Sequence, residues 1–398
     1  MKLVPTEQKC AVKGRNVTGI IRNIDTYRQS ETGYLVLLDQ TKAFDRVNHE
    51  YLFTTLEHLG IKGDFLEVIK IMYKDITSQV IINNALTEKI KIERGVRQGC
   101  PLSMLLFVLA SIPLIEMTKD NRKIEGYKTK GNSQIKIQSY ADDNTFLIKY
   151  PVEYKEILKT YRKHSLASGA EINDQKTEIF RLGKPRRDEY PEFREKIKDK
   201  IKIMGATLCA DRKLETKANL DKPSKTIKEL MEKSDHKTTS LMGKIVNLHT
   251  YVYSQIWHAA LLVETKSTDF HHFLNQVAKY LQYVKGKEVL DQIAKRKEEG
   301  GLNLINLKER IEAIKIKELI QAEDQLPETD DLIYEIGIKQ KTLFGKLIPG
   351  PKSEITGPKY RENINRIEIE KEAIKNYKSR KKKLKAGEIQ QVIFPKRK

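Results

Sequence analysis

Apolar and polar positions switch between two periods along this chain. Residues 34–39, YLVLLD, run apolar and stop on a carboxylate. That run predicts a buried strand with Asp39 at its exposed end. In VNHEYLFTTLEHL, apolar residues fall at 47, 52, 56 and 59, and Gly60 follows. This predicts an amphipathic helix with a glycine stop. A second helix is expected to about residue 75. The stretch SQVIINNALTEKIKIERG then reads as a hairpin turning near Asn83-Asn84. Residues 101–117 begin with Pro101 and Ser103 and are apolar all round, the pattern of a buried helix.

Beyond this helix the period returns to two. IKIQSY (135–140) alternates, FLIKY (146–150) is apolar again, and ADDN lies between them. The pattern predicts a β-hairpin with Asp142 and Asp143 at its turn. Residues 153–167 read as a helix, SGAEIND as a turn before a short strand in KTEIFRLG, and IKIMGATL (201–208) as one more short strand. From about 215 to 323 the pattern is helical and rich in Lys and Glu, interrupted at Gly300-Gly301. A charge run, KSRKKKLK, follows at 378–385.

Charge narrows the class. Lys and Arg number 74 against 54 Asp and Glu, a net charge of +20, which points to a polyanionic partner, most simply nucleic acid. Cys10, Cys100 and Cys209 make neither a disulfide framework nor a CxxC pair, as expected of an intracellular protein, nuclear or cytoplasmic. MKLVPTEQK lacks the apolar core of a signal peptide, and LLFVLASIPLI is too short to span a bilayer, so no membrane partner is expected. No GxxxxGK[ST] loop occurs, which argues against a nucleotide-hydrolysing motor.

Three carboxylates stand out at strand ends and turns: Asp39, Asp142 and Asp143. Gathering like charges is costly unless a cation joins them. Mg²⁺ suits such a group, because it takes oxygen ligands and few protein carboxylates. Two such ions, about 3.5–4 Å apart, serve phosphoryl transfer. The plainer reading of Asp142-Asp143 alone is a hairpin turn, where Asp is common.

The order of motifs adds to this. LLDQTKAFDRVNH, GVRQGCPLSMLLFVL, SYADDNTF, SGAEINDQKTE and IKIMGATL follow one another. They resemble the successive palm motifs of reverse transcriptases, most closely those of LINE-type, non-LTR retrotransposons. EQKCAVKGRNVTGIIRNI resembles the segment before the first palm aspartate. SLMGKIVNLHTYVYSQIWHAALL and EEGGLNLINLKERIEAIKIKELI resemble the thumb and the region after it. The resemblance covers roughly residues 5–323 and implies an α+β, right-hand polymerase: a palm of antiparallel sheet backed by helices, then a mainly helical thumb and C-terminal region. The implied divisions are a partial fingers segment at 1–33, palm at 34–210, thumb at 211–285, a post-thumb helical region at 286–349 and a basic charged tail at 350–398.

The resemblance also implies roles. Asp39, Asp142 and Asp143 would be catalytic, binding two Mg²⁺ ions, with Mn²⁺ as a substitute. Phe44 would lie under the incoming sugar and exclude a 2′-hydroxyl. Gln98 and Gly99 would flank the nascent base pair, and Arg97 would touch template or phosphate. Tyr140 would help set the hairpin against the primer, and Lys176 would sit near the triphosphate. Each has a plainer alternative: core packing for Phe44, a surface ion pair for Arg97, solvation for Lys176. Met104 departs from the proline often found in its motif. The implied substrates are an RNA template, a DNA primer and dNTPs. The family's upstream fingers and endonuclease are expected to lie outside this chain, which raises the alternative of a catalytically inactive nucleic-acid-binding remnant. A group II intron maturase shares the palm and is a further alternative.

Overall fold

The apolar run at 34–38 forms the strand on which the main sheet is built. In the computed structural model, residues 3–30, 32–128, 134–233, 239–282 and 286–325 are described, all within one unit, Met1–Gln325. Strand β1 (Gly33–Leu38) follows helix α1 (Thr18–Ser30). It lies between β3 (Asp143–Ile148) and β4 (Glu178–Leu182), and β2 (Ile137–Tyr140) pairs with the far side of β3. The order is β4-β1-β3-β2, antiparallel throughout. Tyr34, Val36, Ile137, Phe146 and Ile148 are buried in one cluster. They pack on Leu114 and Ile115 of α4 (Ser103–Asp120) and on Ile157 and Tyr161 of α5 (Glu153–Ser168).

Helices α2 (His49–His58) and α3 (Asp64–Tyr73) share a second core with α4, through Leu52, Leu56, Ile69 and Phe107. The expected glycine stop is present, with Gly60 at φ +85°. Asn48, not the acidic Asp45 three residues earlier, caps the helix, its side chain accepting from Tyr51 N–H at 2.9 Å. An Asn in extended backbone directly before the first turn aims its oxygen at the free N–H groups there, whereas Asp45 lies inside a short helical turn. The expected hairpin at 78–95 forms and turns on Asn83 and Asn84, both with positive φ. Helix α4 is apolar all round because it is buried between the two cores. Among the described residues, no helix is long and apolar enough to cross a membrane.

One strand expectation needs correction. IKIMGATL is not a single strand but a hairpin of β5 (Lys200–Ile203) and β6 (Ala206–Cys209). Met204 and Gly205 make the turn at φ +50° and +82°. A two-residue turn with one apolar member leaves no polar break in the pattern.

After β6 the described chain is helical: α6 (Glu215–Glu232), α7 (Leu241–Asn247), α8 (Thr268–Tyr280), α9 (Gly286–Ala294) and α10 (Leu307–Gln325). Ile227, Leu248, Val252, Phe270 and Val277 form its core. Trp257 packs against that core with Arg310 over its ring. Helix α1 joins this region to the sheet. Arg28 bonds Glu215 at 2.5 Å and the Cys209 carbonyl at 2.7 Å. Glu318 of α10 accepts from Asn16 at 3.0 Å and Thr18 at 2.5 Å and lies 3.7 Å from Arg22. The expected tail at 350–398 and the stretch 326–349 lie outside the described residues.

Candidate active site

Strand register decides which carboxylates meet. Leu38 stands opposite Asn144, so Asp39, the next residue, lies beside Asp143. Tyr140 pairs with Asp143, so only Ala141 and Asp142 make the turn. The sequence places both aspartates in the turn; in the fold Asp142 is in it and Asp143 opens β3. The three acids thus gather at one end of the central strands, with Asp142 half-buried and Asp143 at the surface.

Electrostatics register the crowding. Loss of solvent pushes the Asp142 carboxyl above the usual carboxylate range, and Asp39 pushes it further. Asp143 is open to solvent on one side and crowded by protein on the other. That desolvation raises it too, with Asp142 and then Asp39 adding to the effect. Lys176 answers part of the charge, its Nζ 3.9 Å from Asp39 Oδ2. It is held there by its neighbours: the Asn173 side chain caps the turn at 174–176, and Asn173 N–H donates to the Asp39 carbonyl at 2.8 Å.

A cavity of about 270 Å³ opens beside these groups, lined by Asp39, Asp143, Lys176, Lys202, Met204 and Gly205 among others. Lys202 and the Met204-Gly205 turn belong to the hairpin that sequence reading took for one strand, which is why it passed over them. Among the described residues, no three His, Cys, Asp or Glu side chains form a ready-made metal cage. This donor set still fits Mg²⁺, which keeps several waters and binds through one or two carboxylates plus substrate phosphates. The Asp142 and Asp143 carboxyls are raised first by desolvation and then by one another and Asp39, a crowding that a cation would relieve.

The other expected residues sit on a neighbouring loop. Val96 N–H donates to the Phe44 carbonyl and Gly95 N–H to the Val47 carbonyl, each at 2.8 Å. These bonds hold Arg97, Gln98 and Gly99 beside the segment that follows Asp39, and all three are exposed. Gly95 is required: at φ +95°, a Cβ there would lie 2.9 Å from the backbone of Asp45. Phe44 is half-buried and stacks on Phe107, ring centres 4.4 Å apart. Tyr140 packs with the core shared by α2, α3 and α4, near Cys10. It does not line the cavity beside Asp39. Met104 receives a weak bond from the Cys10 thiol at 3.5 Å.

The family model described as "Reverse transcriptase (RNA-dependent DNA polymerase)" matches residues 3–208. The chain belongs to the reverse transcriptase family. A transposon TX1 protein of 149 kDa from Xenopus laevis is 26% identical over 332 residues, covering 80% of this chain and 25% of that protein. A retrovirus-related Pol polyprotein from the type-1 retrotransposable element R2 of Popillia japonica is 32% identical over 160 residues, covering 39% of this chain and 22% of that one. The chain therefore spans about a quarter of the length of these relatives. A solved structure of apo telomerase from Candida tropicalis overlays 81% of this chain and 56% of its own, at 12% identity and a TM-score of 0.42. The likeness to LINE-type, non-LTR enzymes read from the motif order is borne out by the family model and these relatives, and the α+β class by the antiparallel sheet backed by helices.

The N-terminal segment holds what sequence reasoning missed. Gln8 is fully buried and bonds the Ala141 backbone, and Arg15 donates to the carbonyls of Gln8 and Val4 at 2.6 and 2.9 Å. Asn144 braces the turn from the other side, donating to the Asp142 carbonyl at 3.1 Å. The residues around Gln8 give no periodic signal, and the resemblance of their segment places it ahead of Asp39 without marking which side chain bonds the turn.

Proposed function

We propose that this chain carries the nucleotidyl-transfer centre of a retrotransposon reverse transcriptase and extends a DNA primer on an RNA template. The observation that carries the reading is the register that lays Asp39 beside Asp143, with Asp142 in the adjoining turn. Asp39, Asp142 and Asp143 would hold two Mg²⁺ ions. Bound there, such ions supply electrostatic stabilisation of the attacking and leaving oxygens. In the transfer, the primer 3′-hydroxyl gives up its proton to solvent as its oxygen bonds the α-phosphorus of the dNTP, the bond from that phosphorus to the bridging β-phosphate oxygen breaks, and pyrophosphate leaves.

The remaining work falls to the protein. Lys176, whose Nζ lies 3.9 Å from Asp39, would give a proton to the departing pyrophosphate. Phe44, stiffened by its stack on Phe107, would meet the sugar and exclude a 2′-hydroxyl. Gln98 and Gly99 would flank the nascent pair, with the bare Gly99 backbone allowing close approach, and Arg97 would contact template phosphate. The charge of +20 supports a salt-sensitive grip on nucleic-acid backbone. Primer extension on an RNA template with dNTPs and Mg²⁺ tests the reading. Extension is expected from the wild-type chain and its loss, by at least about a hundredfold, from Asp142→Asn. Tight, salt-sensitive RNA binding without extension would refute the enzymatic reading and leave a binding remnant.

A further inference from the structure

The hairpin turn that carries Asp142 is held by a side chain far away in sequence. Residues 7–9 run parallel to β2 as a short extra strand. Lys9 N–H donates to the Ser139 carbonyl at 2.9 Å, and Ser139 N–H donates to the Glu7 carbonyl at 3.0 Å. This docking pushes the Gln8 side chain, with none of its surface exposed, under the turn. Its Oε1 accepts from Ala141 N–H at 3.1 Å and from Cys10 N–H at 3.0 Å. Its Nε2 donates to the Ala141 carbonyl at 3.4 Å and approaches Ser111 Oγ at 3.5 Å. The amide orientation is forced, because two backbone N–H groups converge on one end and only an oxygen accepts from both.

Ala141 needs such a partner. It sits at φ +54°, a conformation costly for a residue with a Cβ. It is buried, and a two-residue turn leaves its N–H and C=O outside the strand ladder. Gln8 meets both groups at once, as a neighbouring strand would. Asn144 fixes the next peptide through the Asp142 carbonyl. The backbone on either side of the Asp142 Cα is thereby clamped, which sets the direction of its carboxylate.

We infer that Gln8 is a positioning residue for the candidate centre. It touches neither substrate nor reacting atoms, and it acts by fixing Ala141 and so the aim of Asp142 toward Asp39. This rests on the metal-binding reading of the aspartates proposed above. It predicts a defect in metal binding and turnover but not in nucleic-acid affinity.

The test uses the full chain and Gln8→Met, which keeps side-chain bulk and removes both amide bonds. Mn²⁺ binding followed by electron paramagnetic resonance is expected to weaken about tenfold or more in the variant. Primer-extension kcat should fall by a similar or larger factor, about tenfold to a hundredfold. The anisotropy-measured affinity for primer-template should stay within about twofold, and the Ala141 amide should exchange its hydrogen faster. If Gln8→Met does not fold by circular dichroism, Gln8→Glu replaces it, keeping the acceptor and dropping the donor to Ala141. An unchanged Mn²⁺ midpoint overturns the inference whatever the extension rate. A wild-type chain that binds Mn²⁺ without extending, together with weakened binding in the variant, overturns the polymerase reading and leaves the positioning role standing. A wild-type chain that binds no Mn²⁺ overturns both.

Discussion

Replacing Asp143 with Asn should stabilise the metal-free protein while ending the proposed primer extension. The size of the gain follows from the sheet. Adjacent strands lie about 4.8 Å apart, so carboxylates on neighbouring positions stand roughly 5–7 Å apart. Two unit charges at that distance repel by about 1 kcal/mol at an effective dielectric constant of roughly 40–80. Asp143 faces Asp142 and Asp39, which gives roughly 2 kcal/mol before any discount. Its open side and the Lys176 ammonium near Asp39 reduce this to about 1 kcal/mol. For a chain of this size that is a rise in melting temperature of about 1–2 °C. The assay is thermal melting at pH 7 and low salt in EDTA, then with Mg²⁺. In EDTA the variant should melt above the wild type; with Mg²⁺ the order should close or reverse, because binding stabilises the chain that holds the ion better. The pH dependence has a definite sign. The folded Asp142 and Asp143 carboxyls sit above the ordinary range, so the wild type regains stability as pH falls through those raised values. The advantage of Asp143→Asn should shrink over the same interval. A variant that melts at or below the wild type in EDTA at pH 7 refutes the claim that these carboxylates repel one another in the folded chain.

Further outcomes follow from other contacts. Phe44→Val should admit ribonucleotides, raising NTP incorporation relative to dNTP in primer extension, and lose about 1 kcal/mol of stability with the Phe107 stack. The Glu189 carboxylate, although burial opposes its charge, is held at about 2 by bonds from Arg181 and Tyr34. Its roughly 3 kcal/mol is present above the ordinary value near 4.5 and is lost as pH falls toward 2; Glu189→Gln should flatten urea midpoints across that window. Glu318→Ala should cost about 3 kcal/mol by leaving buried Arg22 without its acid, and the double variant with Arg22→Ala should cost less than the two single changes together.

Legibility in the sequence tracked distance along the chain. Strand β1 and the β2–β3 hairpin could be read because their periods end abruptly, in a carboxylate and in ADDN. Asp39 and Asp143 could be brought together only through the order of motifs, since 104 positions of sequence fix no register by themselves. The β5–β6 hairpin hid because Met204 carries no turn signal, although its Gly205 does. Gln8 and Glu318 hid for a different reason. Their partners are 133 and 302 residues away, and a single buried polar residue has no period to betray it. Sequence pattern reports which face of an element is buried; it does not report which polar group waits on the other side.

Gln8 belongs to the N-terminal segment and Glu318 bonds to it, and that gives this segment a definite role. Gln8 holds the turn before Asp142, Arg15 ties down the backbone that carries Gln8, and Arg22 and Arg28 of α1 reach Glu318 and Glu215 in the helical region. A short stretch ahead of the first sheet strand therefore touches both the candidate centre and the helices expected to follow nucleic acid. Arg15, Arg22 and Arg28 each bond within the protein, so their charge is already spent on the fold. The proposed grip on a polyanion would fall to exposed basic side chains elsewhere, such as Arg97 and Lys202, which lie on the loop beside the aspartates or line their cavity.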